Sequence, residues 1–126
     1  MSRILVVDDE SNIRVLYADE LADEGYEVVT AATIAEATEK LSVGTFDLAV
    51  LDIKLRNENG IELLQKLVKE RHEMPVILCS AFSCYKDDFS AWLADGYVVK
   101  SGDLTELKNE IARVLAKKAQ KVKAGL

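Results

Sequence analysis

The sequence predicts an α/β fold in which five parallel strands form an open, doubly wound sheet and alternate with five helices. Short apolar runs recur along the chain, and each is nearly continuous, as expected when helices cover both faces of a parallel sheet. The segments between these runs carry apolar residues three or four positions apart, which is the spacing of an amphipathic helix. The units are too few for an eight-fold barrel, so an open sheet is favoured.

The strands and helices are expected in strict alternation. The five strands are placed at residues 4–7, 26–30, 46–51, 75–79 and 97–99. Ser11 or Asn12 is expected to cap the first helix, and Gly25 to end it. Thr33 with Glu36 forms a capping box that predicts the start of the second helix.

Length and composition limit the class of protein. We expect one domain over residues 1–118, with the last helix ending near Lys118, and a C-terminal tail over residues 119–126. The chain is 49% apolar and 30% charged, which is typical of globular proteins and not of disordered ones. No stretch approaches the roughly 18 apolar residues of a membrane span, and the first strand begins too early for a signal peptide. A cytoplasmic location without a membrane partner is therefore expected.

Charge and cysteine content argue against two further kinds of site. A net charge of −6 disfavours nucleic acid as the direct partner, because phosphate backbones attract basic surfaces. The lysines near the C-terminus are explained by the preference for cations in the last turns of a helix. Cys79 and Cys84 fit neither a disulfide framework nor a zinc pattern, and His72 is the one histidine of the sequence.

Four of the predicted strands run directly into reactive side chains. The residues at these strand ends are Asp8 and Asp9, Asp52, Ser80 and Lys100. In the flavodoxin-like strand order 2-1-3-4-5, the second strand lies at one edge and the other four are neighbours. Three carboxylates, a hydroxyl and an ammonium would then meet where open α/β sheets bind their ligands.

This group of side chains suits a divalent metal ion and a phosphoryl group. Carboxylates that are held close together repel one another, and a hard cation relieves that repulsion. Mg²⁺ prefers oxygen ligands and keeps several waters, so two carboxylates and a backbone carbonyl form a suitable protein share. With one carboxylate as nucleophile, the site could accept a phosphoryl group as an acyl phosphate. Lys100 and Ser80 would then supply a charge and a hydrogen bond to the phosphoryl oxygens.

The same residues form an ordered family pattern over residues 3–118. Its members are Asp8-Asp9, Asp52, Ser80-Ala81, Tyr97 and Lys100. With them, the chain resembles the receiver domain of response regulators in two-component signalling. The resemblance implies that Asp52 is the phosphoacceptor and that Lys100 pairs with it. It also implies that Ser80 and Tyr97 shift on phosphorylation. The Mg²⁺ ligands that it implies are Asp8 (directly or through water), Asp9, Asp52 and the carbonyl of Lys54.

Several positions depart from the family pattern. Ser101 follows Lys100 where the family usually has proline after a cis bond, and a cis bond before a non-proline residue costs about 3 kcal/mol. We therefore expect a trans, or visibly strained, bond between them. Arg56 also stands where the family often has proline. Lys54 and Phe82 occupy the positions that commonly tune dephosphorylation, and we expect them to hinder water and extend the phosphoryl lifetime beyond minutes.

The resemblance implies a phosphorylated switch that is not an enzyme acting on other substrates. A sensor histidine kinase or a phosphotransfer protein would be the donor. The expected output face comprises the fourth helix, placed over residues 85–93, with the fifth strand and the fifth helix. A downstream protein partner would read that face through different affinities for the two states. A homodimer through the last helix is also open.

Three other functions compete with the switch. The departures at Ser101, Arg56 and Phe82 motivate a receiver fold that binds partners without phosphorylation. A magnesium-dependent phosphohydrolase could use Asp52, but Lys54 stands where a second aspartate would be needed and no cap segment follows. Flavin binding is disfavoured because the first strand leads to acids and not to a phosphate cradle of Ser, Thr and Gly.

Overall fold

The computed structural model describes residues 2–55, 58–70, 74–80, 94–100 and 103–124. Its strands are β1 (Arg3–Val7), β2 (Glu27–Ala31), β3 (Leu48–Asp52), β4 (Lys54–Leu55), β5 (Glu58–Asn59), β6 (Val76–Ser80) and β7 (Gly96–Val99). Its helices are α1 (Ser11–Asp23), α2 (Ile34–Val43), α3 (Gly60–Glu70) and α4 (Thr105–Ala124). The helix predicted over residues 85–93 lies outside the described residues. Within the described part of the chain, no helix has the length and apolar character to cross a membrane.

The main sheet has the predicted topology. Its five strands are all parallel and lie in the order β2-β1-β3-β6-β7, which confirms the flavodoxin-like order. The register places Asp52 opposite Cys79, and Ser80 opposite Val99. Strands β4 and β5 are only two residues each and form a separate antiparallel pair after β3. The carboxyl ends of β1, β3, β6 and β7 are therefore neighbours at one edge.

Alternation along the strands divides the core into two layers. On one face, Leu5, Val7 and their counterparts in β3 and β6 pack with apolar residues of α2 and α3. On the other face, Ile4 and Val6 belong to a layer with apolar residues of α1 and α4. Each fully buried aliphatic side chain contributes about 1.5–3 kcal/mol to stability. Because both faces are covered, the central strands read as continuous apolar runs and not as an alternating pattern.

Helix ends differ in part from the prediction. Thr33 caps α2 by accepting the Glu36 N–H at 3.1 Å, as predicted. The cap position of α1 is Glu10 and not Ser11 or Asn12. The helix begins earlier because the Asp8 carboxylate accepts the Glu10 N–H at 2.9 Å and turns the chain at once.

The last helix is longer than predicted. Helix α4 continues to Ala124, six residues beyond the expected end at Lys118. The sequence explains the extension, because this segment is rich in alanine, lysine and glutamine and the next glycine is Gly125. Where the domain ends relative to a tail stays a prediction.

Candidate phosphoacceptor site

The sheet brings the predicted site residues to one edge, where three of them are buried. Asp8 follows β1, Asp52 ends β3, and Ser80 ends β6, and their exposed fractions are 2%, 4% and 1%. Lys100 follows β7. Buried carboxylates are rare in proteins unless they are paired. Two of them beside each other therefore indicate a functional arrangement and not a stabilising one.

Lys100 is the partner of both buried acids. Its Nζ lies 2.6 Å from Asp8 Oδ2 and 3.0 Å from Asp52 Oδ2, and its side chain is 14% exposed. The Lys100 backbone N–H also donates to the Ser80 carbonyl at 2.6 Å, which fixes the end of β7 against β6. The predicted pairing of Lys100 with Asp52 is thus present before any phosphorylation.

One ammonium does not fully compensate two buried carboxylates. Burial raises the pKa of Asp52 to about 6, against the lowering effect of Lys100, and the nearby Asp8 raises it further. Burial acts to lower the pKa of Lys100, but its hydrogen bonds to Asp8 and Asp52 outweigh this, so the pKa is raised. The site therefore carries excess negative charge that a cation would relieve.

A second acidic group lies in the turn after β1. Asp8, Asp9 and Glu10 can each place a carboxylate oxygen within 4.8 Å of the others. Oxygen donors in this arrangement suit Mg²⁺, so the residues present fit the ion that the sequence predicts. Sequence analysis included Asp8 and Asp9 but missed Glu10, although a third consecutive acid was the available signal. Asp52 is not a member of this close set and contacts Asp8 through the shared Lys100.

The loop after β3 holds the predicted acceptor by close packing. Lys54 donates its backbone N–H to Asp52 Oδ1 at 3.2 Å, and Gly60 donates to the Ile53 carbonyl at 2.7 Å. A Cβ atom on Gly60 would overlap the Asp52 carbonyl oxygen and lie 2.9 Å from its carbon. Only glycine allows this approach, and sequence analysis gave Gly60 no role in the site. The Lys54 carbonyl as a metal ligand stays a prediction.

Tyr17 and Cys79 form a buried polar contact close to the acids. The Tyr17 hydroxyl and the Cys79 Sγ are 3.4 Å apart, and both residues are buried. Burial raises the pKa of the Cys79 thiol to about 11 and also raises the pKa of Tyr17. Cys79 is buried, as predicted, and is in addition a hydrogen-bond partner. The sequence predicted only that Tyr17 is one of the apolar positions of the first helix.

The site residues are divided between the two faces of the sheet. By strand alternation, Asp8, Asp52 and Lys100 lie on the face covered by α1 and α4, which we call the charged side. Ser80 falls on the face covered by α2 and α3, and Tyr97 is half-buried against the apolar layer there. We call this face the packed side. The predictions for Arg56, Phe82, Cys84 and the Lys100–Ser101 bond lie wholly or partly outside the described residues.

The fold and site together define a class of protein. A parallel five-stranded sheet with buried acids and a lysine at its carboxyl edge is the arrangement expected of a receiver-type signalling domain. A family model described as the response regulator receiver domain matches residues 4–112. The chain therefore belongs to the response regulator receiver domain family.

Solved structures and curated proteins agree with this assignment. The response regulator TrrA of Thermotoga maritima, solved with Mg²⁺-BeF, is 45% identical, with a TM-score of 0.87 over 90% of this chain and 99% of that one. A structure of TrrA with the histidine kinase ThkA gives a TM-score of 0.85 at 45% identity, over 91% and 99% of the two chains. A CheY-like receiver from Methanospirillum hungatei is 33% identical, with a TM-score of 0.90 over 96% and 98%.

The curated relatives are longer than this chain. The response regulator ArlR of Staphylococcus aureus is 32% identical over 96% of this chain, but the match covers 56% of ArlR. The chain thus spans about half the length of the curated relatives that it matches.

Proposed function

We propose that the chain is a phosphoacceptor switch in which Asp52 takes a phosphoryl group, in a Mg²⁺-dependent reaction, from a histidine kinase or a phosphotransfer protein. The observation that carries the proposal is the Lys100 ammonium shared by the buried acids Asp8 and Asp52 at 2.6 and 3.0 Å. The TrrA structures with Mg²⁺-BeF and with ThkA support it by analogy.

The positions of these side chains support the following chemistry. An Asp52 carboxylate oxygen attacks the phosphorus of a phosphohistidine, the P–N bond breaks, and the imidazole leaves as the neutral base after taking up a proton. Lys100 can stay beside the acceptor and contact the new phosphoryl oxygens, because its ammonium already lies there. Bound Mg²⁺ would supply the charge that offsets the phosphoryl oxygens, with Asp8, Asp9 and Glu10 as the residues to hold it.

The output is the face that contains β7 and α4. Lys100 links this face to the acceptor, because it follows β7 and its backbone donates to the Ser80 carbonyl. A change in the Lys100 contacts on phosphorylation would therefore alter the position of β7 and the start of α4. A partner protein that prefers one of the two states converts this shift into a signal. The switch works in the cytoplasm and acts on no substrate other than its own phosphoryl group.

Intact-mass spectrometry tests the proposal directly. The protein is incubated with acetyl phosphate in the presence of Mg²⁺, in parallel with a sample in EDTA and with Asp52→Asn. We expect one phosphoryl group to be gained by the wild type with Mg²⁺ and by neither control. If the wild type gains nothing although it binds Mg²⁺, the alternative of a phosphorylation-independent interaction module is favoured.

A further inference from the structure

Arg14 is a half-buried basic residue at the start of α1, next to the acidic turn. Its Nη1 donates to the main-chain carbonyl of Asp8 at 2.7 Å, so the side chain reaches back from the helix to the end of β1. We propose that Arg14 is a positioning residue that holds the turn over residues 8–10 in the geometry that binds Mg²⁺. This inference rests on the proposed function, because it concerns the ion that phosphorylation requires.

The hydrogen bonds of the turn show what Arg14 adds. The Asp8 N–H donates to the Ala31 carbonyl at 3.0 Å, and the Asp8 carboxylate accepts the Glu10 N–H at 2.9 Å. These bonds fix the Asp8 nitrogen and side chain, whereas Arg14 fixes its carbonyl. Helix α1 has no side-chain cap hydrogen bond at Glu10, and the Arg14 guanidinium ties the first turn of the helix to the Asp8 carbonyl. A guanidinium suits this task because its donors are held in a rigid plane.

The charge of Arg14 and its hydrogen bond affect Mg²⁺ binding in opposite directions. A positive charge near Asp8, Asp9 and Glu10 relieves their repulsion and competes with an incoming cation. Removing that charge alone would therefore tighten Mg²⁺ binding. Releasing the Asp8 carbonyl would instead loosen the turn and weaken binding. The sign of the change thus separates a positioning role from a purely electrostatic one.

The hydrogen bond is expected to dominate. Loss of an outer-shell partner typically weakens metal binding by about 10–100-fold. The effect of a single half-exposed charge is smaller, because solvent and salt screen it. We therefore expect neutral substitutions of Arg14 to weaken Mg²⁺ binding by about tenfold, at the low end of that range.

Isothermal titration calorimetry with Mg²⁺ tests this inference on the unphosphorylated chain. The variants are Arg14→Met and Arg14→Gln, with Lys69→Met as a control that removes an exposed positive charge from the last turn of α3. Thermal denaturation confirms folding, and the second Arg14 variant decides the matter if the first does not fold. The Kd is expected to rise about tenfold in both Arg14 variants and to stay unchanged in the control.

The outcomes separate this inference from the proposed function. Binding by either folded Arg14 variant that is as tight as, or tighter than, that of the wild type would overturn the positioning role alone. A wild type that binds no Mg²⁺ at millimolar concentrations would overturn the proposed function and the inference together.

Discussion

The charged side and the packed side of the sheet differ in the contacts that their side chains make at the carboxyl edge. On the charged side, Asp8 and Asp52 share one ammonium, and charge and hydrogen bonds determine the geometry. On the packed side, Ser80 is buried and Tyr97 lies against the apolar layer beneath α2 and α3. The charged side, with two buried carboxylates and one ammonium, is suited to binding a cation, whereas the apolar contacts of Tyr97 on the packed side can respond through a change in packing.

This difference predicts how each side tolerates substitution. Charged contacts can be rebalanced by a metal ion, by pH or by an isosteric amide. Close backbone packing offers no such adjustment, because interiors transmit strain and few atoms can move. Substitutions at the packed contacts should therefore cost the most stability, and neutralisation of an acid should even increase it.

The largest effect is expected for Gly60→Ala, at the first residue of α3, which packs against the end of β3. The added methyl would overlap the Asp52 carbonyl and approach the Ile53 Cα to 3.1 Å, so backbone would have to move. We expect the free energy of unfolding to fall by about 3 kcal/mol, the upper end of the usual cost of overpacking. Chemical denaturation measures it.

Gly44→Ala is the matched control. A methyl there meets only the Arg3 guanidinium, the mobile end of a long side chain, and should cost less than about 1 kcal/mol. Equal losses in the two variants would show that close packing at Gly60 is not special.

On the charged side, Asp52→Asn should stabilise the protein in EDTA. Because burial raises the pKa of Asp52 to about 6, its ionised form opposes folding above that pH. As pH falls from about 6 towards 4, the folded wild type takes up a proton and the difference from the amide shrinks. We expect a gain of about 1–3 kcal/mol at pH 8 and almost none at pH 4. Denaturation at both pH values tests this, and an equal gain at each would contradict it.

Tyr17→Phe tests the buried contact between Tyr17 and Cys79 on the charged side. The substitution removes the hydroxyl that contacts the Cys79 Sγ at 3.4 Å and leaves the ring in place. A single neutral hydrogen bond is worth about 0.5–1.5 kcal/mol, and a loss of that size is expected on denaturation. Tyr26→Phe, at a less buried ring, should change stability by less than about 0.5 kcal/mol. A Tyr17 variant as stable as the wild type would show that the Tyr17–Cys79 contact does not contribute to stability.

The smallest effect is expected for Lys54→Ala. Lys54 is exposed beside the acceptor, where its ammonium is expected to hinder the water that hydrolyses the acyl phosphate. The phosphoryl lifetime should shorten about two- to fivefold, equivalent to less than about 1 kcal/mol in the barrier. Loss of phosphoryl mass with time measures it, and Lys69→Ala, at the far end of α3, is the control. An unchanged lifetime would contradict the tuning role of Lys54.

The sequence was sufficient to predict the order of the strands and which side chains meet at their carboxyl ends. Apolar runs ending in Asp8, Asp52, Ser80 and Lys100 carry that information directly, because parallel strands deliver their ends to one edge. The family resemblance implied the pairing of Lys100 with Asp52, whereas its contact with Asp8 was not predicted.

The supporting contacts could not be predicted in the same way. Arg14, Gly60 and the Tyr17–Cys79 pair act through three-dimensional proximity between segments with no periodic relation. The predicted end of α4 was wrong because a run of good helix formers extends beyond the apolar pattern from which the boundary was predicted. Local chemistry is thus visible in the sequence, whereas close approach of backbone and side chain is not.

The central claim is that Asp52, and neither Asp8 nor Asp9, accepts the phosphoryl group. The most direct test treats the protein with acetyl phosphate and Mg²⁺, reduces the acyl phosphate with borohydride and maps the peptides by mass spectrometry. Reduction converts a phosphorylated aspartate into homoserine. We predict homoserine at position 52 alone. Homoserine at position 8 or 9, or at no position although the protein binds Mg²⁺, would contradict the account.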